Sequence, residues 1–349
     1  MKGGARQRMY IDTKGKKQHK PKGELEDGRY RRNKSKERKK TRKSSTNVQR
    51  RSDDAIKNIR NCKNLKELFD LRCHARINHF QISSYWNQAA RFMSKKSEFQ
   101  KVQNNPGIFR PLVKQTLAFS SKLGNPQSLA VIVHALAKIS FRTRKRFIFG
   151  ELWEVLEGNI VEATKSETFN SWSCANILWA FAKTNRKSNQ LFRLMENQVL
   201  LRIDDFNSQD IANTVWAYAS VGHSSPKLLD TISHKAMEML DVFNLQAIAN
   251  TIWAYATLGH SSPKLFDSIS RKVMENQGDF NSQTTANIVW AYATIGHSSP
   301  KLFDAISHKA MEKLDTFNSQ DIANTVWAYA TVGHSSPKLF DAVMHKAME

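Results

Sequence analysis

Cysteine is scarce, with only three among 349 residues. Cys62, Cys73 and Cys174 have no metal-ligand spacing, and three thiols cannot build a disulfide framework. They read as reduced thiols of a reducing compartment. No apolar run approaches the roughly 18–20 residues that a membrane-spanning helix needs, so no membrane is expected among the partners. Met1 is followed by no apolar stretch of the secretory type. There is no phosphate loop, no glycine fingerprint for dinucleotides and no nucleophile elbow. The acidic "GELEDG" at 23–28 is a charge cluster, not a carboxylate pair. Histidine recurs in "GHSSPK" turns as His223, His260, His297 and His334. Equivalent residues on stacked helices lie about 8–10 Å apart, whereas metal ligands must converge within about 2 Å of one ion. Turn capping is the better reading. The chain is therefore expected to be no enzyme, with no catalytic residues, no metal and no cofactor.

Acidic residues are few at one end. The first 51 residues hold 20 Lys and Arg against 5 acids, and residues 206–349 hold 10 against 13. The net charge of +23 is thus a property of the N-terminal part. Such a segment favours polyanions, chiefly through counterion release. The run "RYRRNKSKERKKTRK" at 29–43 has charge without apolar period and cannot offset its ordering entropy, so 1–51 is expected to be a disordered basic tail. The acids Asp12, Glu24, Glu26, Asp27 and Glu37 make it a poor transit peptide.

Period-2 alternation is missing too, which excludes a sheet. What is present is a repeat of 37 residues, marked by Phe169, Phe206, Phe243, Phe280 and Phe317 and by Trp179, Trp216, Trp253, Trp290 and Trp327. A looser copy, "PQSLAVIVHALAK" at 126–138, has His134 at the Trp position, and "QISSYWNQAARF" at 81–92 is looser still. Their spacing of about 45 residues predicts longer loops. Residues 206–242 show the unit. Its first helix starts after Asn207 or Ser208 as N-cap and ends at Gly222; its second has Ser225 as N-cap and Pro226 as first residue. Two helices per unit at a fixed period predict an all-α fold, an α-solenoid. The expected organisation is a tail over 1–51, degenerate helical repeats over 52–168 and regular repeats over 169–349, the last truncated.

The motif "ANTVWAYA" poses the functional question. At about 100° per residue, with Ala212 at zero, residues Ile211, Tyr218, Val215, Ala219, Ala212 and Trp216 fill an arc from about 240° to about 40°. This arc is expected to be buried, with Trp216 and Tyr218 on its two borders and each Trp packing toward the Tyr border of a neighbour. The rings then hold repeats together, since base-stacking platforms project from exposed surfaces. The opposite arc is expected to face solvent. Its residues are Ser173 and Asn176; Asp210, Asn213 and Thr214; Ala247, Asn250 and Thr251; Thr284 and Asn287; Asp321, Asn324 and Thr325. A constant amide beside a variable short residue suits a modular base reader. Equally, the amides could bond one another or the backbone as a structural ladder.

The stretch "FNSQDIANTVWAYATVGHSSPKLFDA" at 317–342 resembles the octotricopeptide repeat of algal and protist organelle RNA-binding factors. It is similar also to the related FAST-kinase-like leucine-rich proteins of mitochondria. The resemblance spans about 120–349 and, loosely, 65–120. It implies an α-solenoid that binds single-stranded RNA at about one base per unit. It also implies a role in RNA processing, stability or translation, in a mitochondrion or chloroplast. The units are nearer 37 than 38 residues, and no RAP-type domain follows them. The alternative is a protein-binding scaffold whose separate basic tail serves nucleic-acid binding or nuclear targeting.

Overall fold

The computed structural model describes residues 52–71, 77–143, 149–275 and 280–348. The basic tail expected at 1–51 lies outside these residues, as does Cys73. Cys62 and Cys174 are free, and burial pushes the Cys174 thiol up to about 12.

The described residues form helices α1 (52–61), α2 (Leu65–Asp70), α3 (His79–Phe92), α4 (Lys96–Asn104), α5 (Arg110–Ala118), α6 (Pro126–Thr143), α7 (Gly150–Ala163), α8 (Ser171–Lys183), α9 (Asn189–Leu201), α10 (Ser208–Val221), α11 (Pro226–Glu238), α12 (Leu245–Thr257), α13 (Pro263–Glu275), α14 (Ser282–Ile295), α15 (Pro300–Glu312), α16 (Ser319–Val332) and α17 (Pro337–Met348). No strand occurs among them. The first helices α3, α6, α8, α10, α12, α14 and α16 lie side by side in one row and pack closely on each other. The second helices α5, α7, α9, α11, α13, α15 and α17 back this row and touch one another lightly. The fold is an all-α solenoid.

Local chemistry starts the first helices of the regular repeats, and ends several of them, as the sequence predicts. Asn207 is the N-cap of α10, its side chain accepting from the Asp210 N–H, and Asn170, Asn244, Asn281 and Asn318 do the same in their units. Each cap contributes about 1 kcal/mol. Gly222, Gly296 and Gly333 end α10, α14 and α16 at φ of 74°, 70° and 66°. No heavy atom lies within 4 Å of a Cβ placed on Gly296. Gly296→Ala should therefore cost about 1 kcal/mol from backbone conformation alone. Chemical denaturation of the variant checks this, and an unchanged midpoint would mean that the turn relaxes.

The longer early units do not simply have longer loops. Part of the added length extends α6 to 18 residues, and part forms the short helix α4. The phenylalanines of the repeat are buried at every unit, from Phe169 at 0 % to Phe317 at 6 % exposed. So are Leu228, Leu229, Ile232 and Ala236, the stripe that α11 turns toward its first-helix partners.

The helical wheel needs one correction, and its cause is the stacking itself. A first helix has a neighbour on both flanks, so only a narrow strip reaches solvent. In α10 that strip is Trp216, Gln209, Ser220 and Asn213, covering about 40–100°. Ala217, Asp210 and Thr214, at about 140–200°, are buried because they face the preceding first helix. The Asp210 carboxyl is pushed up by burial and partly held down by hydrogen bonds from the Asn207 backbone and from Ser171 of α8. Small residues on both flanks (Ala217 and Thr214 on one, Ala212 and Ala219 on the other) let the first helices approach closely. Tyr218 points the opposite way from the strip, and its hydroxyl donates 2.8 Å to the Phe192 carbonyl of the preceding second helix.

Candidate nucleic-acid interface

Every first helix from α3 to α16 begins after an asparagine cap: Asn78, Asn125, Asn170, Asn207, Asn244, Asn281 and Asn318. Nine residues later comes one column: Asn87, His134, Trp179, Trp216, Trp253, Trp290 and Trp327. In α3 the column residue is thus Asn87. Trp86 is fully buried beside it, its indole N–H donating 2.9 Å to Thr116. From Trp179 to Trp290 the indoles are half-buried, and Trp327 is 45 % exposed. Trp253 and Trp290 lie 6.4 Å apart between ring centroids, as do Trp290 and Trp327, and His134 lies 5.0 Å from Trp179.

The column corrects the expectation that Trp packs toward a neighbour's Tyr. Trp leans on Trp along the surface strip, while Tyr218, Tyr255, Tyr292 and Tyr329 are sealed inside at 1 % exposure or less. The two aromatics of "WAYA" serve different layers.

The residues expected to read bases divide in the same way. Asn213, Asn250, Asn287 and Asn324 sit half-buried on the strip beside the indoles. Asn324 accepts from Gln320 at 2.9 Å. Asn176 is buried, its amide donating 2.7 Å to the Trp172 carbonyl of its own helix. No bond joins one asparagine of this set to the next among the described residues. The expected exposure of the remaining residues does not hold. Ser173, Asp210, Ala247, Thr284 and Asp321 are buried third residues of their helices, and their backbone N–H groups donate to the asparagine caps. Thr214, Thr251 and Thr325 are buried against the preceding helix; Thr251 and Thr325 donate to Ala247 and Asp321 carbonyls one turn back.

At the start of the column the strip changes character. A groove of about 890 Å³ opens over α3, α6 and α8. Arg60, Arg91, Lys95, Lys138, Arg142 and Lys183 line it, together with the rings of His134, Phe141 and Trp179, and no carboxylate does. None of these six cations forms an ion pair among the described residues. Arg91, Lys138 and Lys183 each stand four residues after a column residue, one turn along the same strip. Ser220, Thr257, Thr294 and Thr331 occupy that place in later units. Lys183 lies 3.9 Å from the Phe141 ring and 5.6 Å from that of Trp216, and burial lowers its pKa. Such a site can hold phosphates and present flat rings beside them. The sequence signal for it was the change from "HALAK" and "WAFAK" to "WAYAS" and "WAYAT", visible only once the strip is known.

Burial, reinforced by the Lys138 charge, pushes His134 down to about 4. The neutral ring therefore favours the fold. Its contribution is fully present above the ordinary value of about 6.5 and is lost as pH falls toward 4. The melting temperature should drop over that window more steeply for the wild type than for His134→Gln. Parallel curves would show that the ring titrates alike in both states.

The turn histidines do more than close turns. Backbone N–H groups of His223, His260, His297 and His334 bond back to Tyr218, Tyr255, Tyr292 and Tyr329 carbonyls. In addition, Nε2 of His260, His297 and His334 sits 2.9 Å from Asp230, Asp267 and Asp304 of the preceding second helix. These side chains bridge repeats.

No curated protein matches the chain. A protein-family model described as RNA-editing substrate-binding complex 6 protein matches residues 96–276 and again 241–349. Two overlapping matches to one description are what an internally repeated chain produces. Together they run from α4 through the last repeat, over well more than half the length, so the chain belongs to the RNA-editing substrate-binding complex 6 protein family.

Proposed function

We propose that the first-helix face binds single-stranded RNA within an RNA-editing complex. The basic groove holds phosphates, and the Trp column carries bases. The observation that carries this reading is the groove: six cations without ion pairs, no carboxylate in its lining, and half-exposed rings running on from it. Lys95 is held by the Lys63 carbonyl, and Arg142 and Lys183 lie over rings, but among the described residues no ion pair neutralises any of the six, so an anion from outside can. Rings of the column offer stacking that tolerates any base. Exposed Gln and the asparagine amides offer both donors and acceptors to base edges. The reading is one of binding without catalysis and without a cofactor. The family match favours the mitochondrion over chloroplast or nucleus, and it favours protein partners alongside RNA. Kinship to octotricopeptide repeats is part of the same proposal, resting on the shared first-helix motif.

Ultraviolet crosslinking of the full chain to RNA, with peptide mapping, tests it. Crosslinks are expected on the groove peptides around 87–95 and 134–142 and on the peptides carrying Trp179 to Trp327. Crosslinks confined to residues 1–51 would sink the reading and leave the solenoid as a protein scaffold.

A further inference from the structure

Four successive first helices carry nearly the same side chains along the solvent-facing strip. On α10 the strip is Gln209, Asn213, Trp216 and Ser220. The same register repeats on α12 as Gln246, Asn250, Trp253 and Thr257, on α14 as Gln283, Asn287, Trp290 and Thr294, and on α16 as Gln320, Asn324, Trp327 and Thr331. One amide of the long chain, one of the short chain, an indole and a hydroxyl thus stand at every station. Earlier helices differ: at the same places α8 has Trp172, the buried Asn176, Trp179 and Lys183, and α6 has Gln127, Val131, His134 and Lys138.

Identical stations have identical preferences. We infer that this part of the array takes a single-stranded tract of one repeated nucleotide, set one base per repeat. The inference rests on the RNA-binding reading above and names the class of strand that the site would take. Spacing supports one base per station. The indoles of Trp253, Trp290 and Trp327 follow one another at 6.4 Å, nearly twice the roughly 3.4 Å rise per nucleotide of a stacked strand. A strand following the column is drawn open, each base leaving its neighbour for an indole. The base edge then meets the Gln and Asn amides of that station. Amide pairs discriminate among bases because their donor and acceptor positions are fixed. A mixed sequence satisfies only those stations that meet the favoured base, whereas a uniform tract satisfies all four in any register. Tracts longer than four gain further through the number of equivalent registers. The heterogeneous, basic stations on α3 to α8 hold the flanking strand by its phosphates with no such demand.

The test uses the full chain and RNA oligonucleotides of equal length: the four homopolymers, and mixed strands in which alternate positions are changed. One homopolymer should bind best. In a tract of just four such bases flanked by disfavoured ones, where no shift of register can avoid it, a single odd base should cost about fivefold or more, the worth of one good amide contact, and the same at each of the four places. In Asn250→Ala the cost should become position-dependent, because one station no longer reads. Mixed strands binding within about twofold of the best homopolymer would overturn the inference. If crosslinks still fell on the Trp peptides, the RNA-binding reading would survive that outcome. If they did not, both would fall.

Discussion

Reversing the charges of Arg91, Lys138 and Lys183 together, as Arg91→Glu, Lys138→Glu and Lys183→Glu, should weaken RNA binding on the order of 100-fold near physiological salt. The reasoning starts from where positive charge is available. Residues 206–349 hold fewer basic than acidic side chains, so that stretch offers a phosphate chain no net attraction. The groove offers it, since six cations line it and no carboxylate does. These three stand on consecutive first helices in one register, so a strand crossing the row meets them in turn. Each phosphate contact to a single strand contributes about 0.7 to the slope of log affinity against log salt. Loss of three should flatten that slope by about 2. Arg91 and Lys138 are exposed and Lys183 half-buried, and none supports the core, so circular dichroism should be unchanged. Reversal of Lys235, Lys272 and Lys309 is the matched control. Those lysines lie on second helices and already face Asp204, Asp241 and Glu312. An unchanged salt slope in the groove variant would place the phosphates elsewhere.

What could be read from the sequence was whatever a helix decides within its own turn. Asparagine caps, the proline that opens α11, the left-handed glycines after α10, α14 and α16 and the 37-residue period all act over short range, and each stands where the pattern put it. The solvent-facing strip was not readable that way. Thr214 and Asp210 look like surface residues because they are polar, yet the preceding helix covers them, and in α12 and α14 the equivalents of Asp210 are Ala247 and Thr284. Trp216 looks like core because it is large, yet it lies on the strip. A wheel records one helix, and the second neighbour that covers its far flank is a tertiary fact. The groove was hidden for a related reason. Arg60, Arg91, Lys138 and Lys183 lie far apart in sequence and meet only because α3, α6 and α8 are adjacent. The excess of basic residues ahead of residue 206 was plain, but its gathering on one face was not.

Tyr255→Ala should cost about 3–5 kcal/mol, the usual loss for truncating a buried aromatic ring, and should split the unfolding of the array. Tyr255 is fully buried and its hydroxyl donates 2.6 Å to the Leu229 carbonyl in the preceding second helix. Tyr218, Tyr292 and Tyr329 make the same bond to Phe192, Phe266 and Phe303. Each therefore joins one repeat to the one before it, burying a ring and satisfying a hydroxyl at once. Beside it, the His260 bridge to Asp230 is exposed on its acidic side. A pair of that kind contributes about 0–1 kcal/mol, so the tyrosine dominates the junction. In a solenoid the stability is a sum of repeat terms and nearest-neighbour terms, and removal of one junction lets the segments on either side melt separately. Denaturant titration followed by tryptophan fluorescence should show a second, earlier transition carrying the signals of Trp253, Trp290 and Trp327. Tyr255→Phe, which keeps the ring and loses only the bond, should cost about 1 kcal/mol and retain one transition. A single unshifted transition in Tyr255→Ala would mean that the first-helix row alone couples the repeats. The same variant separates the two parts of the proposed interface. Phosphate contacts in the groove lie before the broken junction and should persist, while the stations from α12 onward lose their fixed spacing. Affinity for a long strand should then fall toward that for a short one, a result that loss of groove charge cannot mimic.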